Sequence, residues 1–492
     1  MELLTLYCGL LLPWLGGTLW LVFVESRFNH NLRPNRFRQA GYGFFLGYVV
    51  LFLMIIISNQ TLKTVPWAGI MSFLLIFTLT GGLLAWRSHE PSEIAASLMP
   101  TTLSQPIKAL TSIIIILMAI HLVFIAVEIF TQPVYPWDAW LAWVYRAKAW
   151  FLAGGITEFV NGTGWATATS KDIYTIDAFG YPLFPSVIPY WAALSLGRWS
   201  ETLVNLPVLF AGMAIGMALY GQCREHGLSV VASLISCYLL YSIPIFGTHL
   251  ALAGYAEIWM AGFTGLGFIA LIRGASLRNK PGESGFQLLL GITMVFFGIW
   301  VKNEGAVWFL AALAMLVLAT FRPRVPILIV VATVVASLLA FSLGITHIDI
   351  PLIGQLGMIE GRLAIPLIGS FALEAHNVWQ VYWDNFIEMG SWNLVWVALA
   401  ASLLLGFYSP NVASGYRARR AALSFILIFL STQLFIFGFT DQGLWADTYT
   451  AINRLPLHFI PALLFAMVVI AHASLTSNEA SKTTKGIRNG NG

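Results

Sequence analysis

Read as a succession of apolar and polar positions, the chain is a series of long greasy runs separated by short polar breaks. The runs fall at about 3–24, 41–59, 66–86, 109–130, 201–222, 228–247, 256–272, 286–301, 304–320, 326–345, 393–408, 421–439 and 456–474. A helix needs about 20 predominantly apolar residues to cross a bilayer, and the runs are close to that length. They predict an all-α, polytopic integral membrane protein of about 13 transmembrane helices. A shorter stretch at 182–197, "YPLFPSVIPYWAALSL", holds three prolines and reads as a short span or a half-inserted helix. The first run lacks a basic region before it and is long for a signal peptide, so it reads as a retained span.

Two polar segments are long, 131–181 and 346–392. Loops beyond about 12–15 residues are usually functional or disordered. These two are rich in Trp, Tyr, Phe and Gly and poor in charge runs, so they are expected to fold, with short helices. The final "SKTTKGIRNGNG" reads as a disordered tail within 476–492.

Composition sharpens this reading. Of 492 residues, 58% are hydrophobic and only 10% charged. A soluble domain carries about 25% charge, so a water-covered globule is excluded. The net charge of +4 bears on topology and gives no reason to expect a nucleic-acid partner. Cys8, Cys223 and Cys237 all lie in or beside apolar runs, which argues against a disulfide framework or a zinc site. No Gly-rich strand–helix element for a nucleotide sugar interrupts the runs.

Orientation follows from the basic breaks. Arg27, Arg33, Arg36 and Arg38 follow the first run; Arg87 and Lys108 bracket a loop; then come Arg224; Arg273, Arg278 and Lys280; Arg322 and Arg324; and Arg417, Arg419 and Arg420. Cytoplasmic loops hold such residues in excess. Placing them inside puts the N-terminus outside and the C-terminus inside, provided that 182–197 does not cross alone. Asp138, Asp172, Asp177, Glu257, Glu304, Asp349, Glu360, Glu374, Asp384, Glu388, Asp441 and Asp447 then crowd the outer side. Outer loops under no pressure for lysine are one account. An outward-facing site for a polar substrate is the other.

The candidate chemistry lies on that side. "QPVYPWDAWLAWVYRAKAWF" (132–151) sets Asp138 between two tryptophans. On a helix at about 100° per residue, Trp140, Trp143, Ala147 and Trp150 share one face; Asp138, Tyr145 and Ala149 share the other, flanked by Arg146 and Lys148. This predicts an interfacial helix with its aromatic face in lipid. It is either an anchor or a carboxylate held beside two cations. A carboxylate so placed can take a proton from a hydroxyl, and the cations can bind a phosphate. Asp177, before Gly-Tyr-Pro, is a cap or a substrate ligand. Glu257 opens a span, where the helix dipole alone accounts for an acid. In "WVKNEGAVWF", Lys302 and Glu304 sit between two apolar runs, where ionisable groups are paired or functional; Lys302 either pairs with Glu304 or binds phosphate. In "INRLPLHFIP", Arg454 and His458 are four apart and share a face if the helix starts early enough.

These elements together resemble the GT-C superfamily of membrane glycosyltransferases. They are an outer loop opening on Asp138, a Tyr-Pro stretch leading into helices, an acid topping a later span, and Arg454-x-x-x-His458 opening the last. The pattern is most similar to the dolichyl-phosphate-mannose protein mannosyltransferases and the aminoarabinose transferases of lipid A, sometimes grouped as family 39, and covers about 109–475. The resemblance implies a GT-C-like domain at 109–475 after an N-terminal three-span extension, 1–108. It implies Asp138 as general base, with Arg454 as the basic residue of the last outer span end and Glu257 as the acid at a middle outer tip. It implies a polyprenyl-phosphate-linked sugar donor, and a glycan, lipid or protein acceptor, at the outer face of the cytoplasmic membrane. Asp138 is followed by Ala139 where the family often has an acidic pair. There is no Asp-x-Asp in 131–181, so a divalent-metal requirement stays open. A transporter or flippase of a lipid-linked sugar is the alternative from another class, with a polysaccharide polymerase or ligase beside it. Charges collected at one face, and no internal repeat, favour the transferase.

Overall fold

The computed structural model describes residues 1–28, 35–88, 104–170, 173–343, 345–351, 354–366, 368–408 and 415–489. Arg33 and Asp172 lie outside these. The chain forms two compact units, residues 1–266 with 300–302, and residues 267–299 with 303 onward.

The first unit holds α1 (Glu2–Phe28), α2 (Arg36–Leu62), α3 (Trp67–Arg87) and α4 (Gln105–Thr131). A π-turn (Ala139–Trp143) leads into α5 (Val144–Ala153). Next come β1 (Glu158–Val160), α6 (Gly162–Thr167), β2 (Ile173–Thr175) and α7 (Phe184–Leu196), with β1 and β2 pairing in parallel. Then follow α8 (Leu206–Glu225), α9 (Val230–Ser242), α10 (Pro244–Ala251) and α11 (Glu257–Met260). Local chemistry sets the boundaries. The Asn35 side chain accepts from the Phe37 and Arg38 amides and starts α2. Gly154, at φ +75°, closes α5. Pro244 cannot continue α9, and α10 departs from it at 65°.

Small residues bring α1 and α2 together: a Cβ at Gly17 would strike Gly43 and Gly47, and one at Gly47 would strike the Pro13 carbonyl. Close backbone approach is how helices gain dispersion contact where lipid offers no hydrophobic drive. The Trp191 indole donates to the Gly9 carbonyl at 2.9 Å, docking α7 on α1. The three helices read from sequence as an extension thus pack as part of the first unit. At about 1.5 Å per residue, α7 spans roughly 20 Å, short of the ~30 Å hydrocarbon core.

At one end of this unit Arg38 is fully buried between Glu25 and Glu225. The Glu225 carboxylate sits 2.7 Å from the Arg38 Nε and also accepts the Asn35 amide. One of the basic residues counted for topology is therefore a paired joint among α1, α2 and α8.

The second unit holds α12 (Leu266–Ser276, from Gly267 on), α13 (Pro281–Phe297), α14 (Glu304–Thr320) and α15 (Arg324–Ser342). After them come β3 (His347–Ile350), β4 (Gly354–Ile359), β5 (Arg362–Ile365) and β6 (Gly369–Ala372), a four-stranded antiparallel meander. It continues with α16 (Trp379–Trp383), α17 (Val395–Tyr408), α18 (Tyr416–Phe439), α19 (Leu444–Asp447) and α20 (Ile460–Asn489). The segment 346–392, expected to hold short helices, is a sheet for its first half and carries α16 only after it. The last helix runs on through the segment read as a tail.

Basic residues collect at one end of this unit as well. Arg278 donates to the Thr320 carbonyl at 2.7 Å, Arg417 to Asn279, and Arg420 to the Leu318 and Phe321 carbonyls. Arg278 and Arg420 satisfy carbonyls that the end of α14 leaves open, and Arg417 reaches the Asn279 side chain. The breaks at 273–283, 318–324 and 416–420 are therefore neighbours in space.

Among the described residues nine helices are long and apolar enough to cross a membrane, or ten if the bent α9–α10 pair is one span. Helices α14, α15 and α17, expected as spans, are present but shorter. The protein is an all-α polytopic membrane protein.

Candidate functional site

The helix that Asp138 introduces departs from a straight 100° projection. The π-turn at 139–143 inserts an extra residue and shifts the phase. Trp143, Ala147 and Trp150 are buried in the protein, and α5 packs on α7 rather than laying an aromatic face in lipid. Trp140 and Tyr145 are the exposed aromatics. The expected interfacial anchor is thus a packed helix whose other side faces a cavity.

That cavity has a volume of about 440 Å³. Trp140, Tyr145, Lys148, Tyr174, Trp199 and Glu201 line it. Lys148 Nζ lies 2.6 Å from a Glu201 carboxylate oxygen, which also accepts the Trp199 indole at 2.8 Å. The Lys148 ammonium stands 5.9 Å from the centre of the Trp199 ring. Both charged side chains remain partly exposed. Of the residues singled out in the sequence, Trp140, Tyr145, Lys148 and Ala149 reach this cavity. Trp199, Glu201 and Tyr174 were missed. The available signal for the first two was "GRWSE", a charged break with a tryptophan between two apolar runs.

Arg146 does a different job. It is buried, and its terminal nitrogens donate to the carbonyls of Ala178, Phe179 and Tyr181 at 3.0–3.2 Å. Burial lowers its guanidinium to about 10, which leaves it charged at neutral pH. It clamps the turn that follows Asp177, rather than flanking a water-facing surface. Asp177 itself is exposed in that turn. Asp138 is half-buried just before the π-turn.

The lead-in to Glu257 packs close by. A Cβ at Gly254, which has φ +106°, would meet the Ala139 Cβ at 2.8 Å. A side chain there would push the Asp138 end of the helix away. Glu257 opens α11 and is 1% exposed; Lys302 Nζ lies 3.2 Å from its carboxylate. Lys302 is therefore paired with Glu257, 45 residues earlier, a partner that its sequence neighbourhood does not offer.

Glu304, Arg454 and His458 lie in the second unit. Glu304 opens α14. Leu455–Phe459 forms a 3₁₀ turn before α20, and at about three residues per turn Arg454 and His458 point apart. His458 is fully buried, with its Nδ1 accepting the Trp308 indole at 3.1 Å, which leaves the ring proton on Nε2. Arg454 is half-buried and its Nε donates to the Thr450 carbonyl at 2.7 Å. The expected shared face is therefore absent.

In the same unit Arg362 lies 2.6 Å from Asp441, and the Tyr449 hydroxyl donates to Asp384 at 2.8 Å. Burial alone would raise the Asp441 carboxyl, but hydrogen bonds from Arg362, the Ala372 amide and Gln442 hold it below its ordinary value. Among the described residues no group of three or more His, Cys, Asp or Glu side chains is arranged to hold a metal ion. Compared with protein-family models, curated proteins and solved structures, the chain finds no match in any of the three.

Proposed function

We propose that the chain is an inverting, GT-C-like membrane glycosyltransferase working on a polyprenyl-phosphate-linked sugar. It has 13 spans, with α14, α15 and α17 among them, and its acidic side faces away from the cytoplasm of a cell's inner membrane. The observation that carries the reading is the aromatic-walled cavity beside the helix that Asp138 opens, with Lys148 and Glu201 in its wall. Ligand sites of this size combine apolar walls with a few placed polar groups. Flat aromatic faces suit the C–H faces of a sugar ring, and Lys148 suits a phosphate. In the reaction an acceptor hydroxyl attacks the anomeric carbon. The bond from that carbon to the phosphate oxygen breaks, polyprenyl phosphate leaves with both electrons, and Asp138 takes the hydroxyl proton. The donor's tail stays in the bilayer, and the acceptor is a glycan, lipid or protein.

Asp138→Asn keeps size and most hydrogen bonding but cannot take the proton at neutral pH. It should fold and bind donor while transfer falls about 10²–10⁴-fold, the usual contribution of a positioned base. Lys148→Ala should weaken donor binding instead. Near-normal transfer by Asp138→Asn in nanodiscs would remove the residue from the mechanism. Two observations favour a second reading, a transporter of the same lipid-linked sugar: the 65° break between α9 and α10, and the Glu257–Lys302 pair within apolar surroundings. Sugar lipid crossing vesicles that hold the purified protein, with no transfer product, would select it.

A further inference from the structure

The sheet in the segment 346–372 has two chemically different faces. Paired residues in an antiparallel sheet share a face, and alternate residues along a strand do too. The pairs Ile348–Leu356, Met358–Leu363 and Leu363–Phe371 therefore place five apolar side chains in one row across all four strands. Ile350 and Ile365 extend the row. Ile348, Leu356 and Met358 are 55%, 43% and 40% exposed. The opposite face carries the polar groups, and these are engaged: Gln355 donates to Asp349 at 2.8 Å, and Arg362 to Asp441 at 2.6 Å and to the Ser370 carbonyl at 3.1 Å.

Two features say what covers the apolar face. The sheet starts five residues after α15, whose final turns expose Leu338 and Leu339 and which is followed at once by the exposed Leu343. At its far edge the Phe371 ring lies 6.3 Å from Phe435, an exposed residue four positions from the end of the membrane-length helix α18. The row thus continues the apolar flanks of two helices at the ends where their apolar runs stop. It carries no charge to repel an acyl boundary.

We propose that this sheet lies flat on the bilayer, its apolar face seated in the boundary between headgroups and acyl chains of the leaflet where α15 and α18 end. An apolar face seated at this boundary sinks about 5–10 Å, which suits a row one side chain deep. The surface is independent of the transfer chemistry proposed above.

The test uses the full chain in nanodiscs with Cys8→Ala, since Cys8 is exposed while Cys223 and Cys237 are buried. Leu356→Cys and Met358→Cys are labelled with an environment-sensitive fluorophore, beside Gln355→Cys on the other face of the same strand. Spin-labelled phosphatidylcholine with its quencher near the headgroup should quench both apolar-face positions at least about twofold more than position 355, with blue-shifted emission, as expected for a seat this shallow. Agreement of the two apolar-face variants guards against one that fails to fold. Equal quenching on the two faces overturns the proposal. So does blue-shifted emission without lipid quenching, which would mean that a second copy or a protein partner covers the face.

Discussion

Replacing Lys302 with methionine tests whether that lysine belongs to Glu257 or to a ligand. At 3.2 Å and an effective dielectric constant near 20, the gross attraction within the pair is about 5 kcal/mol. Both groups are almost wholly buried, and removing one partner of a buried pair typically costs about 3–5 kcal/mol. Lys302→Met should therefore cost about that much in a reversible unfolding titration in mixed micelles. Glu257→Gln should also destabilise, and the double variant should be less damaged than the two losses added together. A coupling of about 2–3 kcal/mol is expected, the upper part of the range for residues in contact. Additivity to within about 0.5 kcal/mol would refute the pairing. So would an unfolding midpoint unchanged in Lys302→Met while donor binding collapses, the signature of a phosphate ligand.

Three further outcomes are expected. Gly47→Val should cost about 1–3 kcal/mol in the same titration, because its side chain meets the Pro13 carbonyl of α1. Gly69→Val, where only the Pro66 ring lies near, serves as the mild control. Asp441 has a depressed folded pKa, so its pairing with Arg362 is fully present above the ordinary carboxylate value of about 3.9 and is lost as pH falls through the lower folded one. Protease nicking of the 346–372 segment should thus rise only below that range in the native protein, whereas Arg362→Leu should be nicked at neutral pH. For topology, Glu374→Cys should react with an impermeant thiol reagent added outside sealed cells and Arg278→Cys should not; the reverse pattern would invert the protein.

Much of the architecture was legible because it rests on composition. A chain with 10% charge must put most of its helices in lipid, and the apolar runs located nearly all of them. The sheet was legible in principle. Ile348/Ile350, Leu356/Met358 and Leu363/Ile365 alternate with period two. Glu360-Gly361 stands between two such runs, both residues at positive φ as a two-residue hairpin turn requires. A loop judged only by its aromatic and glycine content hid that signal. What no local pattern carried was long-range pairing. Glu257 finds Lys302 across 45 residues, and Lys148 finds Glu201 across 53. The π-turn at 139–143 is hidden for the same reason, since packing against α7 selects the phase of the helix.

The two cations of α5 also bear on how the proposed base is held. Arg146 and Lys148 are two residues apart, about 200° around a regular helix, so they face different surroundings. Arg146 turns inward, and its terminal nitrogens hold the carbonyls of Ala178, Phe179 and Tyr181, which fixes the turn carrying Asp177 against α5. Lys148 stays at the cavity, partly exposed, with Glu201 as its partner. A guanidinium is suited to the first role because several fixed donors can meet several carbonyls, whereas an ammonium is a single flexible charge. The seat of α5 against that turn therefore depends on Arg146, the charge in the cavity wall depends on Lys148, and Asp138 is positioned by a helix that the first of these holds in place.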